Sequence, residues 1–286
     1  MGNLFVIPGF QKTGSTTLYE ILSQSNEIFA PTKFKDFHFL EHGNPNSSYV
    51  NEYLNFHEKV GLNCAVNYVL SYDSIKNILN FFPESKFILI LRDPIKRAIS
   101  AFLYFQRMGV ENRPFENVVY EELNYGSMRL KREQLLLPGL YFKHIQNNLL
   151  SQIPGTRVKC FLFEDIFLKD KIYIEPILDF MGVSKFEYDN KMVLNSRGHS
   201  KFPMVNKILF QRNAFKSMLA KVVPLQIRTS FKSWIFNHNV ISGKDIDVSL
   251  NEEIFKDLKE FFYEDSKCIQ NYFDLLTLEK WFNNDY

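Results

Sequence analysis

Residues 3–22 read NLFVIPGFQKTGSTTLYEIL. The apolar run at 4–7 has the length and composition of a buried strand, predicted over 3–8, and it stops at a Pro8-Gly9 turn. From Ser15 the apolar positions recur at helical spacing, which predicts a helix over 15–23. A strand, a glycine-bearing turn and a helix start make an anion site on physical grounds alone. The first N–H groups of a helix lack internal partners, and the helix dipole presents its positive end there. Gly9 and Gly14 let the backbone come close, Ser15, Thr16 and Thr17 supply hydroxyls, and Lys12 supplies a positive charge. The order of these residues is unusual. A Walker-type loop, GxxxxGK[ST], carries its lysine after the second glycine. Here residues 9–16 read GFQKTGST, with Ser15 in that place and the lysine inside the loop.

Residues 86–102 form a second such junction, KFILILRDPIKRAISAF. The run 86–91 is the clearest buried strand in the chain, and Asp93-Pro94 opens a helix over 95–107, with the aspartate as cap and the proline in the first turn. Arg92 therefore falls at the carboxyl edge of a strand, where open α/β sheets bind ligands. Ser100 follows two turns into the helix, so Arg92 and Ser100 together suit a second phosphate, away from the first loop. A kinase needs an aspartate after such a strand to hold magnesium. Asp93 is there, but the arginine before it suits an anion better than a metal.

Further strands are expected over 63–70 and 157–163, and further helices over 72–82, 138–150, 172–181 and 250–273. Strands alternating with helices predict an α/β protein with a P-loop-like parallel β-sheet flanked by helices. The simplest organisation is a single domain over 1–286, with a core of about residues 1–200 and a basic, helical C-terminal annex over 201–286.

Composition narrows the class. Hydrophobic residues at 45% and charged residues at 23% are ordinary for a globular protein. Three cysteines without a CxxC pair argue against a disulfide scaffold or a zinc cluster and fit a reducing compartment. No apolar run is long enough to span a membrane, and no basic segment precedes the first apolar run as in a signal peptide, so a cytoplasmic location is expected. The net charge of +2 hides an asymmetry. Residues 190–244 hold ten Lys and Arg and no acid, leaving 24 bases against 32 acids elsewhere, a net of −8. Such an island suggests an anionic partner nearby. Its 201–236 portion interleaves bases with apolar residues, which suits packing on the domain, peripheral contact with an anionic surface, or a polyanionic glycan.

The two junctions together resemble the sulfotransferases that use 3′-phosphoadenosine 5′-phosphosulfate (PAPS). That family carries KxGxT in the first loop and RdPxxRxxSxY in the second segment, matched here by QKTGSTT and RDPIKRAISAF in the same order and roughly 80 residues apart. KFKDFHFL at 33–40 is similar to the KExHFF segment of the carbohydrate and heparan-type branch. PGLYFKHIQNNL, and VKCFLFEDIFLKD followed by ILDFMGV, resemble further segments of the same branch. The likeness runs from residue 3 to about 200, and the annex matches bacterial members loosely.

The resemblance implies sulfuryl transfer from PAPS to a hydroxyl or amine of an acceptor, a carbohydrate or glycan, without a metal and without nucleic acid, leaving adenosine 3′,5′-bisphosphate. Lys12 would neutralise the bridging and leaving oxygens, while Thr13, Gly14, Ser15, Thr16 and Thr17 would cradle the 5′-phosphate. Arg92 and Ser100 would bind the 3′-phosphate, and Arg197 and Gly198 would close a loop over the nucleotide. The base would be Asp36, one methylene shorter than the family glutamate, or His38. Two departures stand out: Phe102 replaces the tyrosine of the second motif, and Cys64 stands where the EKTPxY pattern of the heparan-type branch has lysine. Two other readings remain open, a P-loop nucleotide kinase and a sulfotransferase-like protein that binds nucleotide or glycan without turnover. Cys64 supports the last; Lys12 together with Asp36 and His38 supports a catalyst.

Overall fold

The computed structural model describes residues 3–31, 60–126, 133–167, 172–189, 198–200, 240–242 and 251–282. Five strands, β1 (Leu4–Ile7), β2 (Ile28–Phe29), β3 (Val60–Cys64), β4 (Lys86–Leu91) and β5 (Val158–Leu162), form one parallel sheet in the order β2-β3-β1-β4-β5. The register sets Val6 beside Asn63 and Phe87, and Leu91 beside Leu162. Both faces of the sheet are covered, which is why β1 and β4 read as unbroken apolar runs rather than alternating ones.

Alternate residues of each strand serve opposite cores. Leu4, Val6, Leu89 and Leu91 face a cluster completed by α2 (Tyr72–Phe81), α3 (Pro94–Arg107), α4 (Phe115–Tyr125) and α5 (Tyr141–His144), which runs on as a π-helical segment, Ile145–Leu150. Phe5, Ile7, Ile88 and Ile90 face a smaller cluster with α1 (Ser15–Leu22) and α6 (Glu175–Met181). Helix starts obey local chemistry. Ser71 accepts from the Ser74 N–H at 3.3 Å to cap α2, and Asp93 caps α3. Gly182, in the left-handed region, ends α6.

The chain closes with α7 (Glu252–Phe273) and α8 (Thr277–Phe282). Leu258, Phe262, Ile269 and Trp281 are fully buried in the larger cluster. Asp265 on α7 accepts from the Phe142 and Lys143 N–H groups, each at 2.9 Å, so a distant side chain caps α5. Gly198–Ser200 (β6) pairs antiparallel with Val240–Ser242 (β7), bringing together the two ends of the basic stretch.

Among the described residues the expected elements are present except for the strand read over 63–70; the expected helical stretch at 201–236 lies outside them. The strand begins earlier, at Val60, and ends at Cys64, after which Tyr68–Leu70 forms a 3-10 turn. Gly61 and Asn63 disguise the strand in sequence, while the β-branched residues after it serve a loop packed on the first junction, where Val69 N–H donates to Pro8 O at 2.9 Å. The short β2, the helices α4 and α8, and the β6–β7 pair carry weak local signals. Phe262 is fully buried, and a Cβ built on Gly139 would meet its ring at 2.7 Å. Phe262→Ala is expected to lower unfolding free energy by about 3–5 kcal/mol, as measured by denaturant titration.

Candidate active site

The chain leaves β1 through α1 toward β2 on one side of the sheet, and leaves β3 through α2 toward β4 on the other. In such sheets the ligand crevice lies outside the carboxyl ends of the strands where these directions diverge, here β1 and β4. The first loop leaves β1 and the Arg92-Asp93 turn leaves β4, so the two junctions meet in space. Arg92 Nη1 donates to Lys12 O at 3.3 Å.

The loop is shaped by steric need. A Cβ on Gly9 would meet Val69 Cγ1 at 2.7 Å, and one on Gly14 would meet the Phe167 ring at 2.5 Å. Lys12 (φ 70) and Gly14 (φ 86) both occupy the left-handed region. Such alternation turns successive N–H groups inward to form an anion-binding concavity. For a lysine that conformation costs about 1–3 kcal/mol, a strain typical of ligand-binding loops. Gly14 also precedes α1 with no side-chain cap, leaving the helix N-terminus to a ligand. The hydroxyl of Thr13 is buried and donates to Phe10 O at 2.8 Å, so Thr13 braces the loop and can offer a ligand its main chain alone. Ser15 is buried, Thr17 half-buried and Thr16 exposed at the mouth.

Positive charge gathers here. Burial pulls the Lys12 ammonium down to a pKa of about 8, and repulsion from Arg92 and Arg107 adds to it. The Lys12 Nζ lies 4.9 Å from the centroid of the Tyr104 ring, and the Arg92 guanidinium lies 4.6 Å from that of Phe163. Among the described residues no carboxylate pairs with Lys12. Ser100, Tyr104 and Arg107 follow one another at spacings of four and three, so they share one face of α3, the face that meets Lys12.

Asp93 is 1% exposed, and its Oδ1 accepts from the Ile95 and Lys96 N–H groups at 2.9 and 3.1 Å. It caps α3. The Arg92 main chain is held on both sides. Its carbonyl accepts from the Tyr141 hydroxyl at 2.8 Å, and the next N–H, of Asp93, donates to Glu164 Oε1 at 3.1 Å. Glu164 Oε2 accepts from Trp281 Nε1 at 3.2 Å, and the Tyr141 ring packs on Phe10 and Trp281. A C-terminal helix thus supports the second junction from behind.

Among the expected site residues, Lys12 to Thr17 and Arg92 meet here, and Ser100 lies on the face of α3 that carries Tyr104. Asp36 and His38, with Lys33 and Lys35, lie outside the described residues, as does Arg197; Gly198 opens β6, paired with Ser242. The basic stretch 201–236 is outside them too. Cys64 is wholly buried in the smaller cluster, its thiol donating to Ser15 O at 3.6 Å beneath the start of α1. Phe102, where the motif has tyrosine, is 3% exposed and packs edge-on against Phe115, a place that suits a ring without a hydroxyl. Sequence reasoning missed Tyr104 and Arg107, although their spacing from Ser100 was readable. It also missed Tyr141, Glu164 and Trp281, which are joined only by folding.

Comparison with known proteins shows the family and the fold. The sulfotransferase domain family matches residues 3–237, and the chain belongs to that family of transferases. It is 27% identical over 209 residues to human bifunctional heparan sulfate N-deacetylase/N-sulfotransferase 3, covering 67% of this chain and 24% of that protein. The corresponding mouse protein 4 is 27% identical over 158 residues, covering 50% of this chain and 18% of that protein. The chain therefore spans about a quarter or less of the length of these relatives. Among solved structures, a sulfotransferase from Alicyclobacillus acidocaldarius superposes with a TM-score of 0.62 at 17% identity, covering 94% of this chain and 95% of that one. A mouse sulfotransferase complexed with PAP gives 0.51 at 15% identity, covering 95% and 89%. Both show the same fold.

The depressed Lys12 gives a signature in stability. Between about pH 8 and the ordinary 10.5 the unfolded chain holds a proton that the folded protein has released, so this group makes stability rise with pH. Lys12→Met lacks the contribution. The wild-type minus variant difference in unfolding free energy, measured by denaturant titration at stepped pH, is expected to rise through that window and stay flat below pH 7.

Proposed function

We propose that the protein transfers a sulfuryl group from PAPS to a hydroxyl or amine of a carbohydrate acceptor. The observation that carries this reading is the meeting of Lys12 and Arg92 at adjacent strand ends, joined through the Lys12 carbonyl, beside an uncapped helix N-terminus. Cationic groups on two touching loops suit a nucleotide charged at both its 3′ and 5′ positions. The 5′-phosphosulfate belongs on the Lys12–Thr17 loop, and the 3′-phosphate belongs with Arg92 and Ser100. The latter contact selects PAPS over ATP.

In the reaction the acceptor oxygen or nitrogen attacks sulfur from the side opposite the 5′-phosphate. The bond from sulfur to the bridging oxygen breaks, and the electron pair stays on adenosine 3′,5′-bisphosphate. Charge growing on that oxygen is met by Lys12 and the N–H groups of the loop, the form of stabilisation most effective in a partly dry site. The acceptor proton passes to Asp36 or His38. No step calls on a metal. The likeness to heparan sulfate N-sulfotransferases supports a glycan acceptor, and the bases in the sequence of 201–236 suit a polyanionic one. The PAP bound to the mouse neighbour of the same fold supports the nucleotide. Free Cys64, Cys160 and Cys268 fit a reducing, cytoplasmic setting.

The kinase reading loses support because Asp93 serves as a buried helix cap, turned away from any magnesium role, while Arg92 fills the place beside it. Calorimetry decides between the readings. Adenosine 3′,5′-bisphosphate is expected to bind without metal, ahead of magnesium-ADP, and to weaken by about 30–100-fold in Arg92→Ala, the loss of a charge-assisted phosphate contact. Preference for magnesium-ADP, or no binding of either, overturns the proposal. Lys12→Ala is expected to lower transfer to a screened glycan acceptor by about 100–1,000-fold while bisphosphate affinity falls far less. Wild type that binds the bisphosphate but transfers to no acceptor, with Lys12→Ala keeping much of that affinity, would mark a binder rather than a catalyst.

A further inference from the structure

We propose that Tyr104 is a positioning residue, whose ring face holds the Lys12 side chain over the first loop, ready for the sulfated end of the donor. The inference rests on the PAPS reading above. Lys12 stands in a conformation that lysine rarely adopts, at φ 70, which fixes the direction in which its side chain leaves the loop. That direction leads to α3, where the ammonium sits 4.9 Å from the centre of the Tyr104 ring. Among the described residues, the charges acting on it are Arg92 and Arg107, both repulsive. Among the described residues no carboxylate holds it in place. The electron-rich ring face is thus the attractive pole on that side of the ammonium. A carboxylate there would hold the lysine more strongly but would compete with the incoming anion and repel it. A ring attracts the cation without carrying a charge of its own.

The position along α3 fits this use. Ser100 lies four residues before Tyr104, about 6 Å along the helix axis. One helix face therefore offers a hydroxyl for the 3′-phosphate and, one turn on, a rest for the lysine that meets the phosphosulfate. Tyr104 itself is half-buried between its neighbours, and burial raises its phenol, so the hydroxyl stays protonated through the physiological range. The role belongs to the ring, and phenylalanine can fill it.

A double-mutant cycle on PAPS binding, read by calorimetry at pH 7, tests this. Tyr104→Leu is expected to weaken PAPS by about tenfold, and Tyr104→Phe to stay within about twofold of wild type. In a Lys12→Ala background, Tyr104→Leu is expected to change affinity by no more than about twofold, because the group it positions is gone. The inference is overturned if Tyr104→Phe loses as much as Tyr104→Leu, or if the Leu effect persists in full without Lys12. It is also overturned if Tyr104→Leu binds PAPS as wild type does. In each of these outcomes wild type still binds PAPS, so the nucleotide reading survives. Failure of wild type to bind PAPS or adenosine 3′,5′-bisphosphate sinks that reading and this inference with it.

Discussion

The parallel pairing of β1 with β4 is the constraint from which the site follows. Phe5 beside Lys86 and Val6 beside Phe87 align two strands whose ends carry different loops. Both strands run the same way, so both loops emerge at one edge of the sheet, and residues 80 apart in sequence come within hydrogen-bonding distance. Each loop is then set by its own local chemistry. Gly9 and Gly14 sit where a side chain would strike Val69 or Phe167, and Asp93 caps the helix that follows Arg92. The pairing supplies the juxtaposition, and the caps and glycines supply the shapes.

Collecting Lys12, Arg92 and Arg107 at a half-buried edge opposes folding, because like charges repel and burial strips their water. The structure tolerates this through support behind the site. Tyr141 holds the Arg92 carbonyl, Glu164 holds the following N–H, and Trp281 closes the far side of Glu164. Trp281 comes from the last helix, beyond residue 237 where the family match ends. The C-terminal helices are therefore part of what holds the Arg92 turn in place. Their burial in the same core as α2 and α3 gives that support a hydrophobic basis.

A surplus of cations is poor for stability and useful for recognition. An anionic ligand at the proposed site would relieve the repulsion and favour the protonated Lys12, so binding and protonation would be linked. The same logic accounts for the aromatic neighbours. Phe163 lies beneath Arg92 and Tyr104 beneath Lys12, each offering a cation some attraction without carrying a charge of its own.

What could be read along the chain was whatever local chemistry dictates. The apolar runs of β1 and β4, the glycines of the first loop, the Asp93-Pro94 start of α3 and the two motifs were legible because each depends on a few neighbouring residues. The strand at Val60–Cys64 was misjudged because its glycine and asparagine are held by partners rather than by propensity. Cys64 looked like a changed functional residue, and only packing shows its thiol sealed beneath α1. Tyr104 under Lys12, and Trp281 on Glu164 across 117 residues, were decided by the tertiary structure alone. Sequence determined the types of groups present and the backbone turns that expose them. Which of those groups meet depends on how the sheet orders its strands and which helix faces it buries, and no local stretch carries that information.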